Sequence, residues 1–283
     1  MFSTQEFHRL LRAIPHNQTY HSPIAGLIIH HSDRPFDYEN TIQEPSICIV
    51  IQGERKIWLG DACYVFDDDK FMFCPVNVPI FGRIEHATAD EPFVVMSMKI
   101  DPVTVGRILS QHDFAPPSQH LPFFGQWQLD ADLTSAFERL LLLHETPNDI
   151  AFLAPLIQQE IYYRLLSGEQ GAKLRQMVST GSHTQKIAKA IEYLRTHFDQ
   201  TVPVETLAAL CGMSVSGFHH HFKQITTLTP LQYQKSLRLL EAKRLIYQEN
   251  LPISQAAHQV GYESPSQFSR EYKRYFGVSP SAH

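Results

Sequence analysis

The chain has 283 residues, of which 43% are hydrophobic, and a formal net charge of −5. This length accommodates two ordinary domains with hydrophobic cores, and the composition argues against a disordered chain. No apolar run approaches the roughly 20 residues that a membrane helix needs. The first residues also lack the apolar stretch of a signal peptide. We therefore expect a cytoplasmic protein that makes no contact with a membrane.

The net charge conceals a difference between the two parts of the chain. From Thr184 onward, 11 Lys and Arg residues stand against 7 Asp and Glu residues, a net charge of +4, whereas the first 183 residues carry −9. This asymmetry is expected when only the C-terminal part meets phosphate groups.

The first predicted element is a short amphipathic helix from Thr4 to Ala13. Brief runs typical of β-strands follow, separated by Gly, Asp and Pro turns: GLIIHH, SICIVIQG, RKIWLG, CYVF, FMFCP and FVVMSMKI. Short, closely spaced strands predict an antiparallel barrel or sandwich, and a small barrel can enclose one small ligand. Aromatic residues in these runs are the candidate walls of an effector pocket: Trp58, Tyr64, Phe66 and Phe73.

The four cysteines have no spacing typical of a disulfide framework or a structural metal site. We interpret them as buried thiols and expect no metal and no cofactor. Three of them, Cys48, Cys63 and Cys74, fall in predicted strands, so a redox-sensing role is an open alternative.

A metalloenzyme built on the barrel is another alternative. Its ligands would be His30, His31, Glu85 and His86, but the closely spaced His-x-His pattern of such sites is missing. We therefore expect no enzymatic activity and no catalytic residues.

Helical periodicity replaces the strand pattern after Asp130. Apolar stripes from Leu133 to His144 and from Ile150 to Leu165 predict helices that either cover the barrel or pair with a second subunit. The polar stretch 167–183 is predicted to be a linker. It would separate a domain of residues 1–166 from a second domain of residues 184–283.

The second domain contains a near-repeat. The segment Val204–Pro230 returns at Ile253–Pro280, and Ser214, Phe218 and Pro230 match Ser264, Phe268 and Pro280 at an offset of 50. Each copy has a short apolar helix, a glycine turn, a Ser N-cap and a second helix. This is the pattern of a helix-turn-helix unit, whose second helix enters a DNA major groove.

The second helix of each unit has a polar face opposite its aromatic residues. Phe218 and Phe222 are predicted to point inward in the first helix, and Phe268 and Tyr272 in the second. The candidate DNA-contacting residues on or beside the outward faces are Ser216, Gly217, His219, His220, Lys223, Ser266, Gln267, Arg270, Lys273 and Arg274. Arg and Gln can each hydrogen-bond a base edge twice, whereas Lys near a helix end more often holds phosphate.

The C-terminal hundred residues resemble the AraC/XylS family of bacterial transcription regulators. The segment GYESPSQFSREYKRYFGVSP matches the family signature, and the helix predicted over 230–248 corresponds to the one that joins the family's two helix-turn-helix units. One departure is Thr227, which stands where the family usually has Gly at a position that tends to need a positive φ.

The N-terminal part, from PSICIVIQGERKIWLG through VPIFGRIEHATADEPFVVMSMKIDP, is similar to the family's effector-binding and dimerisation domain. The resemblance implies an α+β protein with a cupin-like antiparallel barrel followed by helices, then an all-α domain with two helix-turn-helix units. It also implies that Ser216, Gly217, His219, His220, Ser266, Gln267 and Arg270 face the groove.

The predicted function is therefore a DNA-binding transcription regulator that reads two successive major-groove segments, roughly 34 Å apart. Its expected partners are double-stranded promoter DNA, a small-molecule effector in the barrel, RNA polymerase and a second copy of the chain. The alternative is a regulator controlled by dimerisation or by a partner, with no ligand in the barrel.

Overall fold

A computed structural model describes residues 11, 14–60, 62–114 and 124–282. The helix predicted from Thr4 to Ala13 lies, apart from Leu11, outside these residues. The described strands are β1 Gln18–His21, β2 Leu27–Ser32, β3 Phe36–Gln43, β4 Ser46–Gln52, β5 Arg55–Leu59, β6 Ala62–Phe66, β7 Lys70–Cys74, β8 Val78–Ile84, β9 Phe93–Lys99 and β10 Gly125–Gln128.

The strands form two antiparallel sheets that face each other. One sheet has the order β1-β2-β9-β4-β7-β10 and the other has the order β3-β8-β5-β6. The order leaves β3 and β6 at the edges of the smaller sheet. The predicted α+β class, with an N-terminal cupin-like barrel followed by helices, is confirmed.

The larger sheet is covered on both faces, which explains the uninterrupted apolar run of β4. Cys48 and Val50 point toward the smaller sheet, whereas Ile47 and Ile49 pack against the helices that follow the barrel. A strand buried on both faces loses the alternation of apolar and polar residues. For this reason the sequence of β4 does not show which of its residues point into the barrel.

Among the described residues, four helices cover the outer face of the larger sheet: α1 Pro102–Gln111, α2 Ala131–Leu142, α3 Ile150–Ser167 and α4 Gly171–Val178. Helix α4 lies within the predicted linker 167–183, so that prediction needs correction. Its Leu174 is buried in the N-terminal core. A Cβ atom at Gly171 would lie 2.1 Å from the Leu166 carbonyl oxygen, so only glycine allows this tight entry into α4.

Six helices form the C-terminal part: α5 His183–Thr196, α6 Val204–Leu210, α7 Val215–Thr226, α8 Pro230–Tyr247, α9 Ile253–Gln259 and α10 Pro265–Phe276. Helices α6 and α7 form the first helix-turn-helix unit, and α9 and α10 form the second. The long helix α8 joins them, as predicted. A capping box at Thr229, together with a proline in the first turn, fixes its start.

The first unit does not have a hydrophobic core separate from the barrel. Val50, Ile57 and Met72 of the barrel belong to the same buried cluster as Phe222 and Tyr233 of the C-terminal part. The second unit has its own cluster, centred on Phe268 and Tyr272. The barrel therefore holds the first unit directly, whereas the second unit packs against α8 and against Phe198, which follows α5.

Within the described residues, no helix is both long and apolar enough to cross a bilayer.

Candidate nucleic-acid interface and barrel cavity

The first recognition helix, α7, begins where the serine cap was predicted. The Ser214 hydroxyl accepts a hydrogen bond from the Gly217 amide at 3.2 Å. Phe218 and Phe222 are fully buried. Because these aromatic residues fix the rotation of the helix, the side chains of Ser216, His219, His220 and Lys223 are exposed and Gly217 is partly exposed.

The second recognition helix, α10, repeats this arrangement. The Ser264 hydroxyl accepts from the Gln267 amide at 3.3 Å, and Phe268 and Tyr272 are buried. The remaining candidate residues of this unit are all exposed: Ser266, Gln267, Arg270, Lys273 and Arg274. Both predicted faces thus lie on the surface of the protein.

An arginine of α8, which sequence analysis did not single out, fixes the second unit in place. Arg238 donates to the Phe198, Asp199 and Gln200 carbonyl oxygens and to the Gly261 carbonyl oxygen, over 2.6 to 3.2 Å. Burial lowers the pKa of this guanidinium. Gly261 also has φ +86°, and a Cβ atom there would lie 2.0 Å from the Asp199 carbonyl oxygen.

A second group, also missed, holds α10 against α8. Glu271 accepts from Lys235 at 2.8 Å and from the Tyr262 hydroxyl at 2.8 Å. The pKa of Glu271 is lowered because these hydrogen bonds outweigh its desolvation. The Gln267 amide also donates to Glu271, at 3.3 Å. The one carboxylate within α10 is thereby compensated by a cation.

The barrel contains a cavity of about 720 Å³ between its two sheets. Its volume lies within the range of sites for small ligands. The cavity opens beside β1 and β3, where Ile28 and Phe36 are more than one-third exposed. Inner positions of both sheets form its walls, including His30, Cys48, Arg55, Val95 and Ser97.

The four aromatic residues predicted to form the pocket walls do not line this cavity, which is a correction. Trp58 lies on the outer face of its sheet beside Phe81, and Phe73 lies in the core under the helices. Tyr64 and Phe66 point inward but pack elsewhere: Tyr64 lies edge-on to Phe124. Strand parity, which depends on the pairing register, places Trp58 and Phe73 on the faces that point away from the cavity.

Arg55 is the charged residue inside the cavity that sequence analysis missed. In the run RKIWL, a period of two places Arg55 on the same face as Ile57 and Leu59, and all three are buried. The same alternation puts Lys56 and Trp58 on the other face. This alternation was the available signal, although a buried arginine is rare.

The alternative metalloenzyme site is not assembled. His30 points into the cavity, whereas His31 points to the other face of β2 and approaches the Ile14 carbonyl oxygen at 3.4 Å. Glu85 pairs with Lys56 instead. Across the described ranges, no three His, Cys, Asp or Glu side chains are grouped to hold a metal ion.

The cysteines are free thiols. Cys48, Cys74 and Cys211 are buried as expected, but Cys63 is exposed, which corrects the prediction for that residue. Cys63 pairs with Trp58 across β5 and β6, so its side chain lies on the outer face of the smaller sheet. Burial raises the pKa of the Cys74 thiol, which keeps it protonated.

Residues 23–173 match the family of AraC-type transcriptional regulator N-termini. The chain belongs to this family. Residues 207–283 in addition match a helix-turn-helix domain. The two matched regions correspond to the barrel with its covering helices and to the two units that α8 joins.

Characterised relatives agree with this assignment. The chain is 27% identical over 232 residues to the HTH-type transcriptional activator RhaS of Pectobacterium carotovorum, covering 79% of this chain and 81% of the relative. A RhaS of Salmonella schwarzengrund is 24% identical over 261 residues, covering 91% and 87%.

The fold is similar to that of ToxT from Vibrio cholerae, solved with a bound unsaturated fatty acid. The TM-score is 0.55 at 12% sequence identity, over 93% of this chain and 96% of ToxT. At this identity the likeness concerns the fold alone.

Proposed function

We propose that this regulator places the exposed faces of α7 and α10 in two successive major-groove segments of promoter DNA. The observation that carries the proposal is the pair of matched helices, each with its aromatic side buried and its polar side exposed. A helix of this kind fits the major groove, and two such helices on one rigid body read one face of the duplex.

The roles of the ten surface residues follow from their chemistry. Arg270 and Gln267 are suited to base edges, because each can donate hydrogen bonds in a fixed geometry. Lys223, Lys273 and Arg274 lie toward the ends of their helices, where the phosphate backbone passes, and supply salt-dependent affinity. Ser216, Gly217, His219, His220 and Ser266 complete the contact surfaces with small or polar side chains.

Arg238 supports this function because it fixes the geometry between the two units. Its hydrogen bonds join the end of α5 to the turn of the second unit. A fixed spacing allows both recognition helices to dock without a further loss of conformational freedom.

We propose that a small-molecule effector in the barrel cavity modulates DNA binding. Thr41 and Ile42 of β3 line this cavity and also a cleft of about 750 Å³ against α8. A ligand that displaces β3 thus changes a surface that faces the helix joining the two units. Such a ligand shifts DNA affinity only to the extent that its own affinity differs between the protein with β3 in place and the protein with β3 displaced.

A homodimer is proposed through the outward face of α3. Phe152 is 74% exposed and Leu156 is 52% exposed, and Tyr163 lies on the same side of the helix. Exposed apolar residues at helical spacing are typical of a symmetric helix-helix contact. Leu156→Glu should convert a dimer to a monomer in analytical ultracentrifugation, while an unchanged mass would remove the proposal.

The remaining roles follow from promoter binding. A protein that controls transcription acts where the DNA lies, in the cytoplasm, and has RNA polymerase as a natural partner. We propose a purely regulatory protein with no catalytic activity of its own. If no ligand occupies the barrel, control by dimerisation or by a partner protein is the second candidate, which the exposed face of α3 favours.

Selection of bound sites from genomic DNA, followed by affinity measurements over a range of salt concentrations, tests the DNA-binding surfaces. Arg270→Ala should lose about 1 to 3 kcal/mol on the selected site and relax its specificity. Lys273→Ala should weaken specific and random DNA alike and reduce the salt dependence by about one phosphate contact.

Arg107→Ala is the matched control, because it removes one positive charge from α1 in the N-terminal part, and it should leave DNA affinity unchanged. Equal losses on specific and random DNA for both Arg270→Ala and Lys273→Ala would contradict the division into base and phosphate contacts.

A further inference from the structure

Arg55 is a buried cation whose charge no described residue neutralises. The side chain is 6% exposed and lines the barrel cavity. Its Nε atom has no hydrogen-bond partner among the described residues. The guanidinium lies over the aromatic ring of Phe66, 5.8 Å from the ring centre.

Such an arrangement is costly unless something occupies the cavity. Moving a charged group out of water is strongly unfavourable, and an aromatic face returns only part of that free energy. The planar guanidinium can donate two parallel hydrogen bonds, which is the geometry that carboxylate and phosphate groups accept.

The other polar groups of the cavity are compatible with an anion. The Ser97 hydroxyl accepts from the Cys48 thiol at 3.3 Å and donates to no described residue, so its hydrogen can serve a ligand. Glu44, the acidic residue among the described walls, lies at the rim and pairs with Lys99 at 3.0 Å. Both members of that pair are more than half exposed.

The charge of the cavity favours a single negative charge on the ligand. His30 lies in the same cavity, and desolvation followed by the charge of Arg55 lowers its pKa, so the ring is neutral at pH 7. Among the described side chains, the interior thus offers one full positive charge, from Arg55, which matches a carboxylate better than a doubly charged phosphate.

Apolar side chains form a further part of the wall and extend to the opening. Ile24, Leu27, Ile42 and Val95 line the interior, and Ile28 and Phe36 are exposed at the mouth. A hydrocarbon group that reaches from Arg55 to the mouth would cover these side chains and gain from their burial.

We propose that the barrel cavity binds a small amphipathic monocarboxylate, with its carboxylate paired to Arg55 and its hydrocarbon part against Ile28 and Phe36. This inference rests on the effector function proposed above and adds the chemical class of the effector.

Calorimetric titration of the full-length protein tests it with two acids and their neutral counterparts, octanoate against octanamide and benzoate against benzamide. At least one acid should bind about tenfold or more tightly than its amide, because a charge-assisted bidentate contact is lost in the amide. Inorganic phosphate should bind no more tightly to the native protein than to Arg55→Met.

Arg55→Met should reduce the affinity for the acid to that for the amide, and Arg55→Lys should fall between the native protein and Arg55→Met. The matched control is Lys56→Met. It removes the same charge from the adjacent residue, whose side chain pairs with Glu85 on the outer face. This control should bind the acid within about twofold of the native protein, a difference well under 1.4 kcal/mol.

Several results would overturn the inference. Equal binding of acid and amide to the native protein would mean that the cavity does not recognise charge. Binding of none of the four compounds, or of phosphate in place of the acids, would exclude a monocarboxylate. If Arg55→Met does not fold, the comparison of acid with amide in the native protein and in Arg55→Lys decides the matter.

A separate measurement distinguishes a failure of this inference from a failure of the proposed effector control. DNA affinity is compared with and without each compound that binds. An amide that binds and alters DNA affinity would contradict the charge recognition and leave effector control standing. An acid that binds through Arg55 and leaves DNA affinity unchanged would confirm the site and remove effector control by that ligand.

Discussion

The Tyr233 hydroxyl donates a hydrogen bond to the Asn77 carbonyl oxygen at 2.9 Å. Tyr233 lies in the first turn of α8, and Asn77 immediately precedes β8. This bond joins the helix that carries both DNA-binding units to the barrel. Burial raises the pKa of Tyr233, so the hydroxyl keeps its proton and remains a donor across the physiological range.

Tyr233→Phe should destabilise the full-length protein by about 1 kcal/mol, because a buried carbonyl loses its donor while the ring packing is kept. Urea unfolding provides the measurement. Tyr193→Phe, at a partly exposed position on α5, should leave stability unchanged. An equal loss in the two variants would show that the bond to Asn77 contributes nothing specific.

Thr227 ends α7 with φ +63°, the left-handed conformation that Gly277 adopts with φ +81° at the end of α10. A β-branched residue is strained in this conformation. The Thr227 hydroxyl offsets part of the strain by donating to the Leu59 carbonyl oxygen of the barrel at 3.3 Å.

Thr227→Val keeps the strain and removes the hydrogen bond, so we expect a loss of about 1 to 2 kcal/mol. Thr227→Gly removes both, so its stability should exceed that of Thr227→Val by roughly 1 kcal/mol. Thermal unfolding of the two variants provides the comparison. A less stable glycine variant would show that Thr227 is not strained.

Arg238→Met should cost about 2 to 3 kcal/mol in unfolding free energy, because it leaves several carbonyl oxygens without a donor. It should also weaken binding to a complete operator more than to one half-site, since the spacing of the two recognition helices is no longer fixed. Arg244→Met is the control on the same helix. Arg244 pairs with Glu241 and Glu249 at the surface, so its loss should cost less than about 1 kcal/mol.

Stability should fall as the pH decreases from 7.5 to 5.5. Desolvation is the largest cause that lowers the pKa of His30 and of His31 in the folded protein below the ordinary value of 6.5. The unfolded chain therefore takes up protons in this range that the folded chain does not. Each histidine contributes at most about 1.4 kcal/mol per pH unit.

Urea unfolding at several pH values measures this dependence. His31→Gln should show a shallower decline than the native protein, even though its stability at pH 7.5 is lower. His258→Gln, which removes an exposed histidine of α9, should decline as the native protein does. If stability declines with pH equally in all three proteins, the buried His31 ring does not contribute to the pH dependence.

Much of the C-terminal part was predictable because its signals are local. A helix-turn-helix is specified within about 25 residues by serine caps, glycine turns and aromatic residues four positions apart. The physical effect of each signal depends little on the rest of the chain. The buried positions of Phe218, Phe222, Phe268 and Tyr272 followed directly from helical periodicity and are confirmed.

The barrel cavity was not predictable in the same way. Which side of a strand faces inward depends on pairing with distant strands, and β4 is apolar on both sides. The aromatic residues were therefore assigned to the cavity incorrectly, and Arg55 was overlooked although it alternates with Ile57 and Leu59.

By itself the sequence determined the helix-turn-helix repeat, the outward faces of its recognition helices and the succession of barrel and helical parts, because these depend on short-range periodicity and capping. Only the tertiary structure decided that Arg55 is enclosed in a cavity, that α4 belongs to the N-terminal core and that the first unit shares its core with the barrel. Those relationships arise from contacts between residues far apart in the chain. The register of the strands and the distances between packed side chains are set by the packing of the whole molecule.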